Sequence, residues 1–168
     1  MTNKLTPSVI VRTGAEYGIY ACIAYIMYFI LMRLIGMATV IELRFANYLF
    51  LLIAAYYASL KAENIKQWRL KYLQAFIVIF ITGAFSFFYF SIFLLIYSRF
   101  DPIITNAFNA AFSGSESTGA FGVPFLIASE GIAISSIASL GMAFIVQEYT
   151  HYTRKLRGDL LSMNDQKS

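Results

Sequence analysis

The longest apolar segment of this sequence, residues 72–97, contains no charged side chain, and its polar members are limited to Gln74, Thr82 and a few serines apart from tyrosines. A helix needs about 20 mostly apolar residues to cross a hydrocarbon core of about 30 Å. Charged residues make up only 13% of the chain and the mean hydropathy is +0.65, whereas a soluble domain carries about 25% charged residues. The sequence therefore predicts a membrane protein.

Three further segments have a similar character, at residues 17–37, 41–60 and 122–146. The segment at 41–60 is the weakest of the four because Glu42 and Arg44 lie at its start. We therefore predict an all-α integral membrane protein. Residues 1–150 form a bundle of four transmembrane helices, and residues 151–168 form a basic cytoplasmic tail.

The positive charges predict the orientation of this bundle. With four spans both termini lie on one side, together with the loop at residues 61–71. That side would carry ten of the thirteen Lys and Arg residues, and Arg33, Arg44 and Arg99 would lie on the other. Because cytoplasmic loops are rich in Lys and Arg, we expect both termini in the cytoplasm and the protein in a bacterial inner membrane. The same distribution accounts for a pI near 9.2 without nucleic acid, although a basic tail that binds lipid or nucleic acid is an alternative.

The loop between the third and fourth segments allows two interpretations. Asp101 and Pro102 are suited to a helix start, and apolar residues follow with helical spacing up to Phe112. This pattern predicts a short interfacial helix, and the alternative is an irregular loop. Residues 113–119 read SGSESTG, a composition typical of a flexible tether.

Five polar residues fall at similar depths in the outer half of the predicted spans: Arg33, Glu42, Arg44, Asn47 and Glu130. At about 1.5 Å per residue, Glu130 lies about 7 Å outward from the centre of its span and Arg44 about 10 Å. Ionisable residues within spans are costly and often functional. We predict a polar cluster between helices with Arg44 facing Glu130. The alternative is that Arg33, Glu42 and Arg44 extend to the headgroups from helix ends.

Small residues distinguish the fourth segment from the third. Gly131, Ser135 and Ser139 recur at intervals of four, a spacing that lets helix backbones approach closely. We therefore expect these residues to mediate helix packing and the fourth helix to be central. The third segment carries eight aromatic residues between Phe76 and Phe93, which we interpret as a surface that faces lipid or a partner.

The sequence also resembles a known bacterial family. The resemblance covers about residues 17–155 and consists of Glu42-Leu43-Arg44 with Asn47, then Tyr72-Leu73 with the aromatic run ending at Tyr97, then Phe125 through Glu130-Gly131, with Gln147-Glu148-Tyr149 at the end. In order and spacing these elements look like the uncharacterised family catalogued as domain of unknown function 4199. The resemblance implies a four-helix membrane domain and no assigned activity.

Motifs that carry chemistry are missing from the sequence. We find no phosphate-binding glycine loop, no nucleophile elbow and no pair of catalytic carboxylates. A single cysteine, Cys22, and a single histidine, His151, argue against a metal site. We therefore expect no catalytic residue, no metal and no cofactor.

Two functions remain from this reading of the sequence. The first is a non-catalytic accessory subunit or scaffold, whose partners are the lipid bilayer and other membrane subunits or further copies of itself. The alternative is a small transporter or channel with an intramembrane Glu/Arg site.

Overall fold

Four helices make up the part of the chain that the computed structural model describes, which is residues 7–37, 45–66, 70–102, 106 and 122–165. They are α1 (Pro7–Leu34), α2 (Ala46–Lys66), α3 (Tyr72–Ser98) and α4 (Gly122–Asp165). For residues 150–165 only the helical backbone is described. No strand occurs in these ranges, so the prediction of an all-α fold is confirmed.

Local hydrogen bonds set the ends of α1 and α3. Beyond α1 the chain turns at Gly36, whose φ is +79°, a conformation that a residue without a Cβ adopts readily. This turn lets the Met37 N–H reach the Met32 carbonyl at 2.9 Å, which is the closing bond of a Schellman motif. Ahead of α3, the Lys71 N–H donates to the Gln74 side-chain oxygen at 3.2 Å, and this bond satisfies a donor at the helix start.

Three of the four helices are long and apolar enough to cross a membrane, over Ser8–Leu34, Tyr72–Ser98 and Pro124–Tyr149. The prediction of long apolar helices is confirmed for these three. Helix α2 falls short because Asn47 lies at one end, and Lys61 and Glu63 lie near the other. The start of the predicted second span, residues 41–44, lies outside the described residues.

Helix α3 is the central helix of the bundle. It packs against α1, α2 and α4, whereas α1 and α4 make no contact with each other within the described ranges. Half of the most apolar stretch of α3 is buried, against 28% for α4 and 22% for α1. The prediction that the fourth helix is central is therefore wrong, and the prediction that the aromatic residues of the third helix face lipid or a partner holds only for the exposed ones, such as Phe88 and Tyr89.

Glycines on α1 bring it close to one side of α3. A Cβ added to Gly14 would lie 2.8 Å from Cγ2 of Ile81, and one added to Gly18 would lie 2.9 Å from Cβ of Phe85. These distances are shorter than van der Waals contact, so any larger residue at either position would push the two helices apart. The spacing of Gly14 and Gly18 is the GxxxG pattern of closely packed membrane helices.

The other side of α3 meets α4 in the same manner. A Cβ on Gly83 of α3 would overlap the Ser135 side chain of α4, and a Cβ on Gly131 would overlap the ring of Phe87. Ser91 Oγ donates to the Pro124 carbonyl at 2.8 Å. The Tyr72 hydroxyl donates to the Leu140 carbonyl at 3.2 Å. Close backbone contact along the centre and hydrogen bonds towards both ends therefore join α3 to α4.

The aromatic side chains of α3 divide between the core and the surface. Phe87 and Phe90 are buried at 4% and 5% exposure, whereas Phe88 and Tyr89 are exposed at 57% and 40%. The buried rings pack around Tyr25 of α1, with ring centroids at 5.3 and 5.5 Å. The Tyr25 hydroxyl is itself paired with Ser86 Oγ at 3.3 Å, so a tyrosine buried in an apolar core keeps a hydrogen bond.

Candidate functional site

A small polar cavity lies where α2, α3 and α4 meet. Its lining consists of polar residues from α2 and α4 and apolar side chains from α3 and α4: Asn47, Tyr48, Phe87, Phe90, Ile127 and Glu130. The space open to the centre of a water-sized molecule is about 10 Å³. This is about one such molecule.

The packing of α3 against α4 positions Glu130 at this cavity. Gly131 follows Glu130 directly, and its lack of a side chain allows α4 to lie against the ring of Phe87. The Phe87 ring is also a wall of the cavity. From the other side, Asn47 and Tyr48 reach the cavity from the first turn of α2. The glycine contact thus brings a carboxylate from α4 within reach of polar side chains from α2.

The polar groups at the cavity differ in their hydrogen bonding. The Tyr48 hydroxyl donates to Oε1 of Glu130, which links α2 to α4 directly. Asn47 is only 7% exposed, and its Oδ1 atom is buried without a hydrogen-bond partner among the described residues. Since nearly all buried polar atoms in folded proteins have a partner, the cavity contains an acceptor that a ligand could satisfy.

Arg33 takes part in a different interaction. Its Nε atom lies 2.7 Å from Oδ2 of Asp101, just beyond the end of α3, and the side chains are 33% and 12% exposed. The same carboxylate oxygen accepts a bond from the Tyr97 hydroxyl at 3.3 Å. This ion pair joins the C-terminal end of α1 to the C-terminal end of α3.

The predicted polar cluster is therefore described only in part. Asn47 and Glu130 line one cavity, and Arg33 pairs with Asp101. Glu42 and Arg44 lie outside the described residues, so the pairing of Arg44 with Glu130 stays a prediction. The same holds for the interfacial helix, since Pro102 and Asn106 are helical and most of that segment is not described.

The three predicted packing residues of α4 are all buried, and they lie in one row. Ser135 is in contact with Gly83, Gly131 with Phe87, and Ser139 has no exposed surface. The serine hydroxyls bond to carbonyls of their own helix, Ser135 to Gly131 at 2.6 Å and Ser139 to Ser136 at 2.8 Å. They are thus small residues that leave no unsatisfied polar group at the interface.

Sequence reasoning missed three features of this region. Tyr48 follows Asn47 directly, and a second polar group at the same end of a span is a signal for a shared polar site. Asp101 was interpreted only as a helix start, although it lies at the same end of the bundle as Arg33. The Gly14 and Gly18 pair was overlooked, although its spacing of four is the same signal that was used for α4.

A second ion pair lies in the N-terminal third of α1. Lys61 Nζ of α2 is 2.7 Å from Oε1 of Glu16 and 5.5 Å from the centre of the Tyr17 ring. The hydrogen bond to Glu16 raises the pKa of Lys61 above its ordinary value, against a smaller opposing effect of burial. The pair joins α1 to α2.

A larger groove of about 540 Å³ lies along α1 beside α2. Apolar and aromatic side chains line it: Ala24, Met27, Tyr28, Ile30, Leu31, Leu34 and Phe50. No carboxylate, imidazole, amine or thiol belongs to this lining, so the groove offers mainly dispersion contacts.

Metal chemistry has no evident place in the part of the chain that is described. No group of three or more His, Cys, Asp or Glu side chains lies close enough together there to hold a metal ion. Comparisons with protein-family models, with curated proteins and with solved structures found no match to this chain.

Proposed function

We propose that this chain is a non-catalytic integral membrane protein, an accessory subunit or scaffold of a membrane complex. It crosses a bacterial inner membrane four times, because α2 crosses in addition to α1, α3 and α4. Both termini lie in the cytoplasm. The resemblance to the family catalogued as domain of unknown function 4199 belongs to the same proposal and implies no activity.

The spacing of the two ion pairs supports the membrane location. Glu16 and Arg33 lie 17 positions apart on α1, with no charged residue between them. At 1.5 Å per residue this is about 26 Å, close to the thickness of a hydrocarbon core of about 30 Å. The charges of α1 thus lie where the two headgroup regions would be.

The outward face of α2 supports its assignment as a span. Leu49, Ile53 and Tyr57 are each about half exposed, and they recur at intervals of four. The opposite face packs into the bundle through Leu51, Ala55 and Ala58. A helix that is apolar on its outer face as well as its inner face is typical of a lipid environment.

The size of the Glu130 cavity is the observation that favours an accessory or scaffold role over a transporter or channel. A transporter or channel needs a pathway from its intramembrane charge to water on either side. Among the described residues, the cavity at Glu130 has room for about one water-sized molecule, Glu130 is otherwise exposed at the surface of the bundle, and the apolar groove on α1 does not include Glu130 in its lining. This favours a structural role over the alternative, a transporter or channel with a Glu/Arg site.

Assembly with other subunits is supported by the free side of α4. Its outward residues include Ile132, Ile137 and Phe144, all well exposed. A Cβ on Gly141 would have no atom within 4 Å, so a small residue here serves no contact within the described bundle. Small residues on the outer face of a membrane helix are suited to close approach by another helix.

Purification of the whole chain in mild detergent, with cross-linking in native membranes, tests this role. We expect a particle larger than the monomer, or co-purification of a membrane partner. A strictly monomeric particle without a partner contradicts an accessory or scaffold role. Uptake or conductance in proteoliposomes that depends on Glu130 would instead support the transporter alternative.

The orientation is tested separately by labelling with an impermeant thiol reagent. In a Cys22→Ala background, a cysteine placed at Ser115 should react from outside intact cells, because residues 98–121 are proposed to lie outside. A cysteine at Ser162 serves as the control and should react only after lysis. The reverse pattern would contradict the proposed topology.

A further inference from the structure

The buried amide of Asn47 poses a specific problem of hydrogen bonding. Asn47 is more than nine-tenths buried, and its Oδ1 atom has no hydrogen-bond partner in the part of the chain that the structure describes. Leaving a buried acceptor unsatisfied is costly, whereas an apolar residue of the same shape would avoid that cost. The position therefore calls for a molecule that donates a hydrogen bond to Oδ1.

The size of the cavity limits what that molecule can be. The space for the centre of a water-sized molecule is about 10 Å³, and a bound water needs at least about 10 to 15 Å³ by this measure. A metabolite or a lipid headgroup is too large to enter. The occupant is thus a single water or a single small cation.

The chemistry of the lining distinguishes these two. Buried waters typically make about three hydrogen bonds, and the cavity lining supplies three polar side chains, those of Asn47, Tyr48 and Glu130. A bound cation such as Na⁺ would need more oxygen ligands than this, and the remaining walls are Phe87, Phe90 and Ile127. The lining therefore suits a water molecule, which can donate hydrogen bonds to the oxygen acceptors, better than it suits a cation.

We propose that the cavity of Asn47, Tyr48 and Glu130 is a binding site for one water molecule, which donates to Asn47 Oδ1 and bridges α2 to α4 beside the Tyr48–Glu130 bond. The inference goes beyond the accessory or scaffold role and does not depend on it. Helix α2 meets α4 over a shorter stretch than it meets α1 or α3. A bridging water would therefore stabilise the α2–α4 contact, which is the smallest of the three contacts that α2 makes.

The first test measures magnetisation transfer from water to the Asn47 side-chain amide. The whole chain is labelled with ¹⁵N-asparagine in nanodiscs of deuterated lipid, and the Asn47 signal is identified by its loss in Asn47→Leu. We expect a cross-relaxation signal from a long-lived water at this amide. The exposed Asn64 on the same helix is the control and should show only fast exchange. A dry Asn47 amide overturns the proposal.

The second test compares the stability of Asn47→Leu with that of Asn64→Leu. If a water satisfies Oδ1, leucine displaces it and removes its bonds, and the unfolding midpoint should fall by about 2 to 4 °C. If Oδ1 is unsatisfied, leucine removes a costly buried acceptor and the midpoint should rise, which would overturn the proposal. Asn64→Leu should leave the midpoint unchanged.

Replacement of Na⁺ by choline separates the two occupants. A water site predicts the same unfolding midpoint of the wild-type protein in both salts at equal ionic strength. A midpoint that is higher in Na⁺, with the difference lost in Asn47→Leu, would show a cation at this site and overturn the assignment of water.

Discussion

Helices α3 and α4 are both apolar and long enough to span a membrane, but they bury their residues differently. Helix α3 is buried on two sides, with small residues among large ones: Ala75, Val78, Ile79, Thr82, Gly83, Ser86, Phe87, Phe90, Ser91 and Leu94. Helix α4 buries a single row at intervals of three or four: Ile127, Gly131, Ser135, Ser139, Ala143 and Val146.

The difference teaches that a high content of small residues does not make a membrane helix central. In the α4 row, Gly131 lies against Phe87 and Ser135 lies against Gly83 of α3. Helix α3 contributes a single glycine to close contacts, Gly83, and receives the others from its partners, Gly14 and Gly18 on α1 and Gly131 on α4. A bulky helix can lie in the centre when the helices on either side supply the small residues.

The largest expected effect concerns two adjacent phenylalanines of α3. Phe87→Ala should destabilise the protein by about 3 kcal/mol, because it opens a cavity between α1, α3 and α4. Phe88→Ala is the matched control, and its exposed side chain should contribute less than about 0.5 kcal/mol. Thermal unfolding in detergent measures both. Equal, small effects would mean that α3 faces lipid on this side as well.

A smaller effect is expected when a branched side chain is placed on α4. Gly131→Ile would force the ring of Phe87 away and separate α3 from α4, at a cost of about 1 to 3 kcal/mol. Gly141→Ile makes the same chemical change where a Cβ meets no atom within 4 Å. It should leave monomer stability intact. Size-exclusion chromatography and thermal unfolding of both variants test whether α4 has a single buried row.

If Gly141→Ile changes the assembly state while the monomer stays stable, the outer face of α4 is a subunit contact. Helix α4 would then have one packed face in the monomer and a second packed face in the assembled protein, whereas α3 is already packed on two sides in the monomer. If Gly131→Ile behaves as wild type, the close contact with Phe87 does not exist.

The smallest effect concerns the contact between Gly83 of α3 and Ser135 of α4. Gly83→Ala adds one methyl group that overlaps Ser135, and we expect a loss of about 1 kcal/mol. Ser135→Gly removes Cβ and Oγ of Ser135, which the added methyl group would overlap. The double variant should therefore be more stable than the single variant Gly83→Ala. A double-mutant cycle by thermal unfolding measures this coupling. Additive effects would show that the two residues are not in contact.

Part of the candidate site was predictable from the sequence. Asn47 and Glu130 were identified because polar residues within apolar segments are conspicuous and costly. The depth estimate placed them in the same half of the bundle, and they line one cavity. Their neighbour Tyr48 was not predicted, since a tyrosine near a helix end has an ordinary explanation in the headgroup region.

The partner of Arg33 could not be predicted from depth alone. Arg33 has a long side chain, and Asp101 was one of several acidic groups at the same end of the bundle. The choice depends on the approach of α1 to α3, which Gly14 and Gly18 allow. Because the ends of these two helices then lie side by side, Arg33 meets Asp101 at 2.7 Å.

The sequence by itself determined that the described part of the chain is helical and where its long apolar segments lie, although α1 begins at Pro7, ten residues before the predicted span, and α4 continues beyond the predicted span to Asp165. A helix satisfies its backbone hydrogen bonds within its own segment, so local composition is enough to specify it. Only the tertiary structure decided that α3 is central, because helices that are apolar all round show no periodic signal for a buried face. The central position results from the pairing of small residues with large ones on facing helices, and that pairing exists only once the helices meet.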